Sequence, residues 1–167
     1  MADSSHSNST ATASVPATLA KIVQRFQRAE LPKRKYELLL AYAKRLDPLP
    51  EDDHREEYKV AGCTSQVWIT SQCADGQVQF FGDSDSQLVK GLVAVLVEGL
   101  SGLSPAEVVQ VPAEFIQDTG LNVSLTPSRT NGFYNILKTM KQRALGYAAQ
   151  GIPSPDQGEV LGCQDVP

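Results

Sequence analysis

The sequence predicts an α+β domain, a small antiparallel β-sheet flanked by helices, and three observations predict it. Apolar residues recur at helical spacing through the first part of the chain, the spacing shortens to two around one Asp-Gly pair, and helical spacing then returns. One hairpin among helices lacks the strand-helix-strand alternation of a nucleotide-binding sheet. A chain of 167 residues buries roughly 70% of its unfolded surface, enough for one core without disulfides or a metal.

Residues 1–16 are Ser/Thr-rich and nearly free of apolar side chains, and residues 151–167 carry Gly and Pro at short intervals. Both read as disordered tails around a domain over 17–150. Leu19, Ile22, Val23 and Phe26 share one helical face, and Pro32 opens a second helix with Tyr36, Leu39, Leu40, Ala43 and Leu46. Prolines and acids break the period over residues 47–57, an exposed connection. Residues 66–72 (QVWITSQ) and 77–81 (QVQFF) form a hairpin, because Asp75-Gly76 supplies the positive φ of a tight turn; residues 58–60 are expected to add a short third strand. Asp83 or Ser84 is placed to cap a central helix, apolar at Leu88, Val89, Leu92, Val93, Leu96 and Val97. Ser104-Pro105 starts a short helix through Val109, residues 112–119 form another that stops at Gly120, and a last helix runs from about Arg129 to Gln150 with Gly151 as its cap.

Composition excludes several function classes. The net charge of -4 opposes nucleic-acid binding through phosphate neutralisation. No apolar run approaches the roughly 18 to 20 residues of a membrane span, and the N-terminal residues carry neither an apolar leader nor an Arg-rich pattern, so a cytoplasmic protein is expected. There is no phosphate loop and no dinucleotide fingerprint. Of two histidines, His6 lies in the tail, and His54 among Asp52, Asp53, Glu56 and Glu57 reads as a solvated surface residue. No ligand spacing suggests a metal, and Cys63, Cys73 and Cys163 show no C-x-x-C pair.

Cys63 stands apart because it follows Gly62 just before the first strand of the hairpin. A glycine there lets the backbone turn sharply and place the thiol at a loop tip, with Val60, Ala61, Val67 and Trp68 anchoring and covering the loop. From the residues alone two readings stand, a reactive thiol or a small buried hydrophobe. Asp83-Ser84-Asp85 has the composition of a helix cap; a functional reading turns Asp85 or Lys90 toward the thiol loop. Ser128 is placed to cap the last helix. Arg129 in its first turn opposes the helix dipole, which suits a side chain directed at a thiolate or at a partner's acid.

Three blocks, VAGCTSQVWI (60–69), GDSDSQLVKGLVAVL (82–96) and LTPSRTNGF (125–133), together resemble the SufE family of sulfur-acceptor proteins, and the resemblance runs from about residue 17 to 148. It implies a fold similar to the U-type iron-sulfur scaffold proteins. The implied role is a sulfur relay: a SufS-like cysteine desulfurase, which holds the pyridoxal phosphate, passes persulfide sulfur to this protein. The acceptor stimulates that enzyme and delivers the sulfur to the SufBCD scaffold complex for iron-sulfur cluster assembly. The acceptor cysteine falls on Cys63, with Arg129 favouring the anion and Asp85 as a further site residue. Gly62, Thr64, Ser65, Gln66, Lys90 and Ser128 form the loop and its partner contacts. No cofactor is expected on this chain.

Two departures are visible. Thr64 stands where the family often has Gln, and Cys73 adds a second thiol ten residues after Cys63, about 20 Å or more along the strand and out of reach for a disulfide. The sequence leaves open whether the chain forms a homodimer. It also leaves a second function class, a module that activates a desulfurase by docking without carrying sulfur. A cysteine hydrolase or thiol oxidoreductase is disfavoured by the lack of a placed histidine and of C-x-x-C.

Overall fold

The computed structural model describes residues 15–150. Residues 1–14, all of the expected C-terminal tail, Gly151 and Cys163 lie outside the described residues. Helices α1 (Ala17–Arg28) and α2 (Pro32–Arg45) come first, then two short 3-10 turns at Glu51–Asp53 and Glu56–Tyr58. The hairpin of β1 (Val67–Ala74) and β2 (Gln77–Ser84) follows. After it come α3 (Gln87–Leu100), α4 (Pro105–Gln110), α5 (Phe115–Thr119), α6 (Leu121–Ser124) and the long α7 (Pro127–Ala149). The architecture is α+β and mostly helical, with one two-stranded antiparallel sheet among the described residues.

The hairpin forms where the Asp-Gly pair demands it. Asp75 at φ 53° and Gly76 at φ 74° give both central residues the left-handed conformation of a type I′ turn, whose twist matches that of the strands. The register runs from Val67 opposite Ser84 to Ala74 opposite Gln77, so both strands are longer than the sequence implied. Val67, Ile69, Ser71 and Cys73 alternate onto the buried face of β1, against α7. The expected third strand over 58–60 is reduced to a single antiparallel bridge from Lys59 to Trp68. The chain turns away into the loop that carries Cys63, so pairing cannot extend. On the other side, Val78 exchanges backbone hydrogen bonds with Gly102 and Leu103, which covers the free edge of β2.

Helix α3 is the centre of the core, as its apolar positions on several faces predict. Val89 and the run from Leu92 to Leu96 are buried, with α2, α1, β2 and α7 packed around them. Its start differs from the expected cap. Asp83 and Ser84 belong to β2, and Ser86 occupies the cap position without a side-chain cap bond. At α4 the expected cap is present as a full capping box, Ser104 Oγ accepting from Glu107 N–H and Glu107 accepting from Ser104 N–H. Gly120 ends α5, and the extra turn α6 then leads into α7. That last helix starts earlier than expected: Thr126 is its cap residue, Pro127 its first position, and Ser128 lies inside the first turn rather than capping it.

One buried charge ties the first helices to the middle of the chain. Lys35, 7% exposed, donates through Nζ to the Phe26 carbonyl at 2.5 Å and the Thr119 carbonyl at 2.9 Å. These oxygens sit at the C-terminal ends of α1 and α5, where unpaired carbonyls and the helix dipole favour a cation. Burial lowers the Lys35 pKa from its ordinary value. Lys35→Met should therefore lower unfolding stability by about 1–3 kcal/mol, because it strands the Thr119 carbonyl. The same change at exposed Lys33 should stay within about 0.5 kcal/mol. Urea titration of both variants checks this; equal effects would remove the role assigned to Lys35.

Candidate functional site

The loop carrying Cys63 is closed at its neck by backbone. Val60 N–H donates to the Val67 carbonyl at 2.8 Å, and Lys59 bridges Trp68 just outside. Val60 and Val67 are buried at the neck and Trp68 is half-buried, whereas Ala61, expected in the cover, is exposed. Gly62 turns the chain at φ +80°, a conformation that L side chains rarely adopt.

The far end of the loop is held by the residues expected to cap α3. Gln66 N–H donates to Asp85 Oδ1 at 3.0 Å, and the Gln66 carbonyl accepts from Ser84 Oγ at 2.8 Å and from Asp85 N–H at 3.2 Å. Asp85 thus meets the thiol loop at its base. Lys90 instead turns to Asp83, with Nζ 3.3 Å from Oδ1.

Asp83 is 9% exposed and also meets His54, whose Nε2 lies 3.1 Å from its Oδ2. Burial alone would raise the Asp83 pKa; the Ser84 N–H, His54 and Lys90 outweigh it and hold the carboxyl below its ordinary value. His54 is therefore not the solvated surface residue the sequence suggested. Its ring meets the edge of Trp68 at a centroid distance of 4.5 Å. Since Trp68 lies opposite Asp83 in the register, the cluster fixes the first turn of strand after the loop.

At the tip, Cys63 is half-buried, and its Sγ lies 3.8 Å from the Gly132 carbonyl on α7. One helical turn further on, Asn135 Nδ2 donates to the Gly62 carbonyl at 3.1 Å. Burial pushes the Cys63 thiol pKa up, so at neutral pH the resting sulfur is a protonated thiol facing a carbonyl oxygen. Asn135 was missed by the sequence reading; its signal was its place three residues after Gly132, on the same helical face.

The remaining site residues are spread around this tip. Thr64 and Ser128 are exposed, and Ser65 is half-buried. Arg129 is half-buried one turn before Gly132 and forms no side-chain hydrogen bond or ion pair among the described residues. Cys73 is 4% exposed near the turn end of β1, opposite Val78, at the other end of the strand from the thiol loop. Among the described residues there is no group of three or more His, Cys, Asp or Glu that could hold a metal ion, and no helix long and apolar enough to cross a membrane.

The arrangement presents one sulfur on a short tether, shielded on one side by a helix and open to reagents only in part. Peptide-resolved alkylation by iodoacetamide against pH should place the Cys63 midpoint above the ordinary thiol value of about 8.5. The folded value is the raised one, so this group's contribution to stability is complete below the unfolded value and is lost as pH rises through the folded one. In urea the midpoint should fall back; a folded midpoint at or below the urea value would contradict the burial argument.

Comparison with known proteins shows the family and the fold. Residues 20–144 match the SufE family, described as an Fe-S metabolism associated domain. An uncharacterized SufE-like protein of Synechocystis sp. is 56% identical over 137 residues, covering 82% of this chain and 86% of the relative. A cysteine desulfuration protein SufE of Plasmodium vivax is 38% identical over 128 residues, 74% of this chain but only 51% of that relative. The solution structure of a hypothetical protein from Thermus thermophilus shares the fold at a TM-score of 0.70 with 26% identity, covering 81% of this chain and 98% of that one. The chain belongs to the SufE family.

Proposed function

We propose that Cys63 accepts sulfane sulfur from a cysteine desulfurase, stimulates that enzyme by unloading it, and passes the sulfur to the SufBCD scaffold for iron-sulfur cluster assembly. The observation that carries this reading is a single thiol at the tip of a loop whose two ends are fixed to the sheet and whose tip touches α7 lightly. The family and the name of the Plasmodium relative support it. The cytoplasmic setting expected from composition is part of the same proposal.

The chemistry asks little of the chain beyond position. A Cys63 thiolate attacks the outer sulfur of the desulfurase persulfide, one S–S bond forms as another breaks, and the desulfurase cysteine leaves as a thiolate. The sulfane sulfur keeps its oxidation level, so neither oxidant nor reductant is consumed. Cys63 must first lose its proton, which the resting site disfavours. Leaving the shielded position for a more polar one, with Arg129 as the cation for the anion, lowers that cost. The pyridoxal phosphate that frees the sulfur belongs to the partner.

The closed, protonated thiol also favours a second reading, in which the protein activates the desulfurase by docking alone. Incubation with a cysteine desulfurase and sulfur-labelled cysteine separates the two. The account expects label on wild type and on Cys73→Ser, and none on Cys63→Ser, together with loss of most of the stimulation. Equal labelling of Cys63→Ser would end the carrier reading, and full stimulation by an unlabelled Cys63→Ser would establish the docking module.

A further inference from the structure

We propose that Asn135 is the latch of the thiol loop, and that it carries the tip alone once Cys63 holds a sulfur. The inference rests on the carrier reading only for its second half; the latch is a property of the resting protein.

The tip residues 61–65 make two hydrogen bonds to the rest of the chain among the described residues, Asn135 Nδ2 to the Gly62 carbonyl and Cys63 Sγ to the Gly132 carbonyl. Both partners lie on one face of α7, one turn apart, so neighbouring loop residues meet neighbouring helix positions. The fit at Gly62 is close: a Cβ there would lie 2.7 Å from Asn135 Nδ2, and φ is +80°. The loop ends are fixed separately, at Val60–Val67 and at Gln66. Breaking the Asn135 bond therefore frees the tip without disturbing the base. Of the two tip contacts, an amide-carbonyl bond at 3.1 Å is the stronger, since a thiol at 3.8 Å is a weak donor.

Loading changes the space the tip needs. A sulfur added where the S–H proton points would extend about 2.05 Å toward the Gly132 oxygen, and Sγ is only 3.8 Å from that oxygen. Less than about 2 Å would remain, far inside contact distance. The added sulfur, received in the exchange written above with the Cys63 proton passing to solvent, must swing away from α7. Rotation about the Cα–Cβ or Cβ–Sγ bond turns it toward the open side of the half-buried site, so loading removes the Gly132 contact and leaves the Asn135 bond to hold the tip. Asn135 is a positioning residue in this scheme and touches no reacting atom.

The test uses the full chain with Asn135→Leu, which keeps the shape and removes the donor, and Asn135→Ala. Peptide-resolved alkylation by iodoacetamide at fixed pH should be about 3- to 10-fold faster at Cys63 in both, the change expected for one lost hydrogen bond. Alkylation of buried Cys73 should not change. A wild-type rate at Cys63 in both variants overturns the proposal, as does an Asn135→Leu variant that behaves like wild type while Asn135→Ala does not, which would mean packing alone. Parallel acceleration at Cys73, or loss of cooperative unfolding in both variants, makes Asn135 a fold residue and also overturns it. Sulfur labelling of the same proteins keeps the questions apart. Faster alkylation with no sulfur on Cys63 in any protein keeps the latch and removes the carrier; unchanged alkylation with normal loading does the reverse.

Discussion

Gln66 is the residue on which the thiol loop hangs. Its N–H donates to the Asp85 carboxylate and its carbonyl accepts from Ser84 Oγ and Asp85 N–H, three hydrogen bonds at and just beyond the end of β2. At a net value of about 1 kcal/mol each, more where a carboxylate accepts, these outweigh the two contacts made by the tip. The difference decides which part moves. On the latch proposal, a disturbance strong enough to lift the tip would leave the base in place as a fixed pivot for Cys63. The His54–Asp83–Lys90 cluster, with Trp68 across the hairpin, stiffens that pivot from outside.

Shelter and reactivity oppose each other at this sulfur. Burial against α7 raises the thiol pKa, which lowers the thiolate fraction and with it the rate of reaction with oxidants and stray disulfides. The same burial slows the attack that a carrier must make. In the proposed carrier role a tethered tip would resolve the conflict, because one thiol would then experience two environments at different times. The cost of moving between them is set by a few weak contacts rather than by refolding, which keeps the change within reach of a docking partner's binding energy.

Much of the architecture was legible because it follows from local periodicity. The Asp75-Gly76 turn, the apolar α3, the Ser104 cap and the Gly62-Cys63 tip are all read from neighbouring residues. What was not legible depends on contacts between distant segments. Asp83 and Asp85 have the composition of a helix cap, and composition cannot distinguish an acid that caps α3 from one that holds the base of a loop 19 residues earlier. His54 looked solvated because its sequence neighbours are acids, whereas its partner is 29 residues away. Lys35, one charged residue in a basic stretch, gave no sign that two helix ends would enclose it. Asn135 lay beside a strongly apolar face of α7, which drew attention to the core and away from the loop.

The separation of a fixed base from a movable tip is the claim that governs the rest, and backbone amide hydrogen exchange on the resting protein tests it most directly. The account expects slow exchange at Val60 and Gln66, whose amides are hydrogen-bonded, and fast exchange at Thr64 and Ser65 between them. Exchange at one common rate from Val60 through Gln66 would mean that the segment opens as a unit, and would contradict the pivot.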